Sequence, residues 1–260
     1  MAVLETTPSP GKGCTGSSAL SFCYTGDELD SMAEARNYYS WILSYIGPFV
    51  GAKAVEVGAG VGTFAAALLR ETDVSSLTLL EPADNLFPLL ARRFSAEPRV
   101  RVVQGFLNNA AMPPEMDSLV SVNVMEHVAD DAGFLRSAFA SLAPGGRIII
   151  FVPALPLLYG MLDENFGHHR RYTKAGLASK LTRHGFLLET LRYFNLPGVV
   201  SWFLAGTVLR RRTLRASDVR IYDRWVVPWL AKLERIWEPP FGQNLLAVAR
   251  KPREGDCASH

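Results

Sequence analysis

The chain has 260 residues, 48% of them hydrophobic and 20% charged, with a formal net charge of +2. That length suits one α/β domain with an elaboration and is short for two full domains, and the apolar content excludes a disordered chain. The near-neutral balance leaves little electrostatic footprint for binding nucleic acid along its backbone. Residues 1–18 hold Pro, Gly, Ser and Thr without an apolar signal core, so 1–26 are expected to form a flexible lead. Residues 27–250 then make one domain, and 251–260 a tail. Cys14, Cys23 and Cys257 lie near the ends without metal-ligand spacing, which fits a reducing, cytoplasmic setting.

In chain order, 27–46 reads as a helix capped by Thr25 or Asp27, with Met32, Tyr39, Ile42 and Ile46 near one face. Gly47 and Pro48 end it. A short strand over 54–57 runs into Gly58-Ala59-Gly60-Val61-Gly62, and an apolar helix follows over 65–69. Alternate glycines let the backbone turn sharply and bring a ligand against main-chain N–H groups. Glu56 stands two residues before the first glycine. A second strand, 77–80, ends in Glu81, at the distance where nucleotide-binding α/β folds place a ribose-binding carboxylate. A helix over 83–94, strands over 100–104 and 116–123, and a helix over 130–142 follow, the last stopped by Pro144-Gly145-Gly146. Residues 147–152 read as a strand buried on both faces, 153–172 as a long loop, and 173–184 as a helix. Strands over 186–194 and 244–249 complete the pattern, whose strand–helix alternation predicts a parallel sheet with crossovers on both faces.

The segments Val55-Glu56-Val57-Gly58-Ala59-Gly60-Val61-Gly62-Thr63-Phe64, Leu77-Thr78-Leu79-Leu80-Glu81-Pro82 and Ser121-Val122-Asn123-Val124-Met125-Glu126-His127-Val128 carry a resemblance. Together they resemble the class I S-adenosylmethionine-dependent methyltransferases, in their type-11/12 small-molecule branch. The resemblance implies a Rossmann-like, seven-stranded, mostly parallel sheet with an antiparallel last strand. It implies S-adenosyl-L-methionine as cofactor and S-adenosyl-L-homocysteine as product. Cofactor contacts are then expected from Tyr39, Glu56, Gly58, Gly60, Gly62, Thr63, Glu81, Pro82, Phe106, Leu107, Asn123 and Val124. The family's usual Asp beside the adenine is absent, and Phe106 stands in its place, so apolar packing and backbone bonding are expected there.

Methyl transfer needs an acceptor held in line and, for many acceptors, a base to take its proton. His127, at the end of the fourth strand, is one candidate, with a positioning or packing role as the alternative. His168 and His169, in the loop over the same strand ends, are rivals. No metal is expected; Asp163 with His168 and His169 is the exception weighed, without diagnostic spacing. Tyr159, Arg170, Arg171 and Tyr172 are expected to bind the acceptor, two guanidiniums being suited to a phosphate or carboxylate. Neighbouring residues of an extended chain face opposite ways, so one Arg suffices for that task.

Residues 195–243 separate the last two strands and read as a helical insert rich in aromatic and basic residues. An apolar run over 196–209 ends at Arg210-Arg211-Arg212, too short to span a bilayer. A helix over 222–237 would place Trp225, Trp229 and Trp237 on one face. Such a surface fits peripheral membrane contact or a lid over a greasy acceptor, and equally a helical pair packed on the core or on a second subunit as a homodimer. The expected activity is O- or C-methylation of a small or amphipathic acceptor of natural-product, isoprenoid phosphate or lipid-linked saccharide class. The alternative is a non-catalytic cofactor-binding assembly protein using the insert as its interface. Nucleic acid is not expected as substrate, because Asn123-Val124-Met125-Glu126 stands where base-methylating relatives carry an Asn/Asp-Pro-Pro-Tyr tetrad.

Overall fold

A strand sends successive side chains to opposite faces, and a sheet covered on both sides is therefore apolar at nearly every position. The computed structural model, which describes residues 22–24, 32–110, 115–209, 211, 213 and 215–256, follows that rule. Seven strands, β1 Lys53–Val57, β2 Ser76–Glu81, β3 Val100–Gln104, β4 Met116–Val122, β5 Leu142–Pro153, β6 Leu187–Phe194 and β7 Asn244–Arg250, form one sheet. Their order is β3-β2-β1-β4-β5-β7-β6. The first five are parallel, and β7 runs antiparallel between β5 and β6. Ala54, Leu79, Ile149 and Leu246 pack into one core, and their neighbours Val55, Leu80, Ile150 and Ala247 into the other.

The first core is covered by α1 Arg36–Ile46 and α2 Thr63–Glu71, the second by α4 Asp131–Ser141 and α6 Lys174–Arg183. A shorter helix, α3 Phe87–Arg93, links β2 to β3. It starts later than the sequence suggests because the Ala83 N–H donates to Glu81 Oε1 and 83–86 form a separate turn. The order reverses between β1 and β4, where ligands of open α/β sheets bind beyond the carboxyl ends of the strands.

Helix α1 also starts later than expected, at Arg36; the caps proposed at Thr25 and Asp27 lie outside the described residues. Its own N-cap, Ala35, provides no side-chain acceptor. The acceptor comes from far along the chain: Asp223 takes the Asn37 N–H at 3.1 Å and the Tyr38 N–H at 2.8 Å. The glycines expected to stop α4 lie inside β5, where Lys251 bonds both Gly145 and Gly146 and extends the ladder.

Residues 195–243 contain α7 Leu196–Trp202, a π-helical turn Phe203–Val208, α8 Ala216–Trp225 and α9 Val227–Ile236. The single helix expected over 222–237 is thus two, parted at Val226 ahead of Pro228, which lacks an N–H and opens α9. Arg210 and Arg212 lie outside the described residues, as do 1–21. Within the lead, Phe22 and Tyr24 are bonded to Asp84 and Asn85. Cys23 is disulfide-bonded, a correction to the reading of the cysteines as reduced thiols. No helix among the described residues is long and apolar enough to cross a membrane.

Candidate active site

The turn after β1 holds Gly58, Gly60 and Gly62 at φ of 69°, 56° and 78°, a region side chains seldom enter. A Cβ on Gly58 would meet Val124 Cγ2 at 2.6 Å, so the glycine turn and the turn after β4 are in direct contact. Asn123, at φ 53°, makes that second turn, and its N–H bonds the Phe151 carbonyl. Between the two turns and the helices above lies a cavity of ≈ 1180 Å³.

Two carboxylates define one end. Glu81 is 4% exposed, and its oxygens accept from Gly60 N at 2.7 Å and Ala83 N at 2.9 Å. Burial raises its pKa, and those two backbone donors oppose the rise. Each oxygen retains acceptor capacity toward the cavity. Glu56 is buried beside it, and its Oε2 has no hydrogen-bond partner among the described residues. Burial, and then the charge of Glu81, push the Glu56 carboxyl up to about 8, with Arg93 opposing. A buried acid with an empty acceptor facing a cavity calls for a cationic ligand. S-adenosylmethionine carries an ammonium and two ribose hydroxyls, donors that this pair of acceptors fits. Thr63 lines the same end, with its hydroxyl likewise unbonded in the described structure.

Pro82, Phe106 and Leu107 wall the neighbouring part, together with Phe22, whose ring meets Phe106 edge-on at 5.5 Å. Phe106 N donates to Asn109 Oδ1, and Asn108 also lines this region. Tyr39 reaches the cavity from α1, and Asn123 and Val124 from the turn after β4. Gly62 stands outside it, as the N-cap of α2, where Phe94 and Leu90 crowd the space a Cβ would need.

The other end carries the histidines. His127 and His168 meet edge-to-face with centroids 4.7 Å apart, and both line the cavity, as does His169. Burial, and then the His168 charge, push His127 down to about 3, so its ring is neutral. His168 Nδ1 lies 2.8 Å from Asp163 Oδ1, and that bond fixes the ring with Nε2 as its remaining nitrogen.

Asp163 is the hub of this region. It also accepts from Arg171 Nε at 2.8 Å, Trp202 Nε1 at 3.3 Å and Gly160 N at 3.2 Å. Its anionic form is favoured, because the His168 bond and the Arg171 charge outweigh burial. Arg171 lies under the Trp202 ring at 4.7 Å, bonds the Ala154 carbonyl, and leaves Nη2 unbonded in the described structure. It lines the cavity; Arg170 does not, being paired outside it with Asp131 at 2.9 Å and bonded to the Ala129 carbonyl. Tyr172 is buried against Asp131 and Met125 O, and the Tyr159 hydroxyl bonds His168 O, so neither lines the cavity. Phe22, Tyr24, Asn108 and Trp202 are cavity residues that the sequence reading missed. The Phe-Cys-Tyr cluster in a Ser/Gly-rich stretch was the one signal for the first two.

Residues 55–148 match the family described as "Methyltransferase domain". The chain is 24% identical over 161 residues to the mitochondrial ubiquinone biosynthesis O-methyltransferase of Schizosaccharomyces pombe, covering 59% of this chain and 54% of that protein. It is 26% identical over 166 residues to an uncharacterized 37.1 kDa protein in a Streptomyces fradiae transposon, covering 62% and 47%. The chain thus spans about half the length of the curated relatives it matches. In structure it is similar to an S-adenosylmethionine-dependent methyltransferase of Mesorhizobium loti, with TM-score 0.56 and 17% identity, over 84% of this chain and 98% of that one. Haemonchus contortus phosphoethanolamine N-methyltransferase 2, in complex with phosphomonomethylethanolamine and S-adenosylhomocysteine, matches with TM-score 0.60 and 15% identity, over 87% and 58%.

Proposed function

We propose that this chain, which carries a methyltransferase domain over residues 55–148, transfers a methyl group from S-adenosylmethionine to a small or amphipathic acceptor. The observation that carries the proposal is the pair of buried carboxylates across the glycine turn, one held by backbone donors and one with an empty acceptor. The cofactor supplies an electrophilic methyl on a sulfonium. Glu81 receives the ribose hydroxyls, Glu56 faces the ammonium, and Phe106 and Leu107 enclose the adenine. Asn123 and Val124 border the methionine end, and His169, which also lines the cavity, takes the acceptor's proton.

Acceptor size and polarity follow from the rest of the cavity. Its ≈ 1180 Å³ exceeds the range of about 300–1,000 Å³ usual for one ligand, leaving room for a second. Residues 195–243 contribute an apolar wall there through Trp202, Leu204, Ala205, Leu209 and Val219. Arg171 Nη2 offers one donor for an anionic or carbonyl oxygen. Relatives named ubiquinone biosynthesis O-methyltransferases support transfer to an oxygen of a small molecule. The apolar wall supports an acceptor with an apolar part, of natural-product, isoprenoid phosphate or lipid-linked saccharide class. Calorimetry tests the cofactor half: S-adenosylmethionine and S-adenosylhomocysteine should bind, NAD should not, and Glu81→Ala should lose binding. Full affinity in folded Glu81→Ala would overturn the proposal.

The outer face of residues 195–243 supports a second element of the reading, peripheral attachment to an anionic membrane. Ile221, Trp225, Trp229 and Leu233 recur every four residues at 61%, 64%, 73% and 55% exposure. Arg224 and Lys232 lie over the two Trp rings. Apolar rings flanked by cations match a headgroup layer. Sedimentation with phosphatidylglycerol vesicles, lost in Trp225→Glu/Trp229→Glu, is expected; a dimer in gel filtration that the same change splits would favour self-association instead. Cofactor binding without turnover on any acceptor would favour the non-catalytic assembly role.

A further inference from the structure

The histidine end of the cavity holds a ligand geometry that methyl transfer alone does not require. Glu126, His127 and His168 each offer one ligand atom, and the three atoms lie within 4.8 Å of one another. All three residues line the cavity, and Glu126 is fully buried at its wall. They come from two places. Glu126 and His127 sit in the 3₁₀ turn Met125–His127 after β4, and His168 lies in the loop after α5 Met161–Asn165. The loop is tied to the turn by the His169 N–H to Glu126 O bond at 2.8 Å.

Both rings are held as metal-binding rings usually are. A ligating imidazole gives its other nitrogen to a carboxylate or a carbonyl, which fixes the tautomer and aims the lone pair. His168 gives Nδ1 to Asp163 Oδ1 at 2.8 Å, and Asp163 is itself anchored by Arg171. His127 is hydrogen-bonded to the Gly167 backbone. Gly167, at φ 75°, permits that approach: the Cβ position there falls 4.0 Å from His127 Nδ1, leaving the ring undisturbed.

We infer that Glu126, His127 Nε2 and His168 Nε2 bind one divalent transition ion of the zinc class, with its open positions toward the cavity. Two imidazoles and a carboxylate are the ligand set of open zinc sites, and a tetrahedral ion would draw the donors to about 3.4 Å apart, a small side-chain rotation from 4.8 Å. The ion's role rests on the proposed methyl transfer. An acceptor hydroxyl coordinated there loses its proton more readily, and its oxygen bonds the incoming methyl as the carbon–sulfur bond breaks to leave a neutral thioether. His127 and His168 then give their lone pairs to the ion, and the released proton passes to His169 or solvent.

Binding is tested apart from turnover. The purified full chain, stripped with chelator and reloaded with Zn²⁺, is expected to retain about one equivalent after dialysis. Co²⁺ in its place should give visible d–d absorption. His127→Ala and His168→Ala should each abolish both signals, Asp163→Asn should weaken affinity about 10–100-fold through His168, and His184→Ala, a histidine outside the cavity, should change neither. S-adenosylhomocysteine affinity, measured on the same samples, reports that the fold and the carboxylate end persist. An unchanged Zn²⁺ stoichiometry in the His127→Ala/His168→Ala double variant, or no retained ion and no cobalt spectrum in the unaltered chain with cofactor affinity intact, overturns the metal site and leaves the methyltransferase reading standing.

Discussion

With Glu56 facing the cofactor's ammonium as proposed, cofactor binding should release a proton. Because burial and Glu81 push the Glu56 carboxyl up to about 8, roughly nine-tenths of it is protonated at pH 7 in the empty cavity. A bound ammonium favours the anion, so binding expels that proton. The ionised fraction rises from about 1% at pH 6 to about 9% at pH 7, so affinity should rise nearly tenfold over that unit. The cofactor's own amino group remains charged throughout this window. Titration calorimetry in buffers of different ionisation enthalpy should report close to one proton released per cofactor at pH 7. Glu56→Gln should remove both the release and the slope. The same raised pKa affects folding: its stabilising contribution is complete below about 4.5 and is lost as pH climbs through about 8. Glu56→Gln should therefore stabilise the unliganded chain by roughly 3–5 kcal/mol above pH 8, since the carboxyl is held 3.5 units above its usual 4.5. A binding slope that survives in Glu56→Gln would refute the reasoning.

Other perturbations address separate parts of the fold. Gly58→Ala combines a φ of 69° with a Cβ contact at 2.6 Å to Val124, and should cost about 1–3 kcal/mol in urea unfolding while weakening cofactor affinity. Asp223→Ala leaves the first N–H groups of α1 without their acceptor and should cost about 1–2 kcal/mol by the same measurement. Asp163→Ala strands the fully buried Arg171 guanidinium and should cost about 3–5 kcal/mol in thermal or urea unfolding. Because His127 sits at about 3, the pH–rate profile should show no limb from it between pH 5 and 8.

The sheet and the carboxylate end were legible because their signals are local. Three glycines, the acid before them and the acid closing the next strand lie within 26 residues, and strand alternation sets the rest. What was not legible depends on partners distant in sequence. Helix α1 begins where Asp223, 186 residues away, meets its first N–H groups, and no nearby residue announces that boundary. Glu234 does the same for α7, accepting from Asn195 N and Leu196 N while only 1% exposed. The Arg170-Arg171 pair reads as a unit in sequence, yet each finds its own acid, Asp131 outside the cavity and Asp163 beneath it. Trp202 enters the histidine end from residues 195–243, a contact that periodicity cannot show.

Helix α8 is one helix thick, about 10 Å, and its two sides have different neighbours. Val219 and Tyr222 look into the cavity, while Ile221 and Trp225 look out. Its Asp223 carboxylate is fastened to the helix that carries Tyr39. A push on the outer rings is therefore a push on the roof of the cavity, and on the membrane reading proposed above a lipid-borne acceptor would cross only the width of that roof.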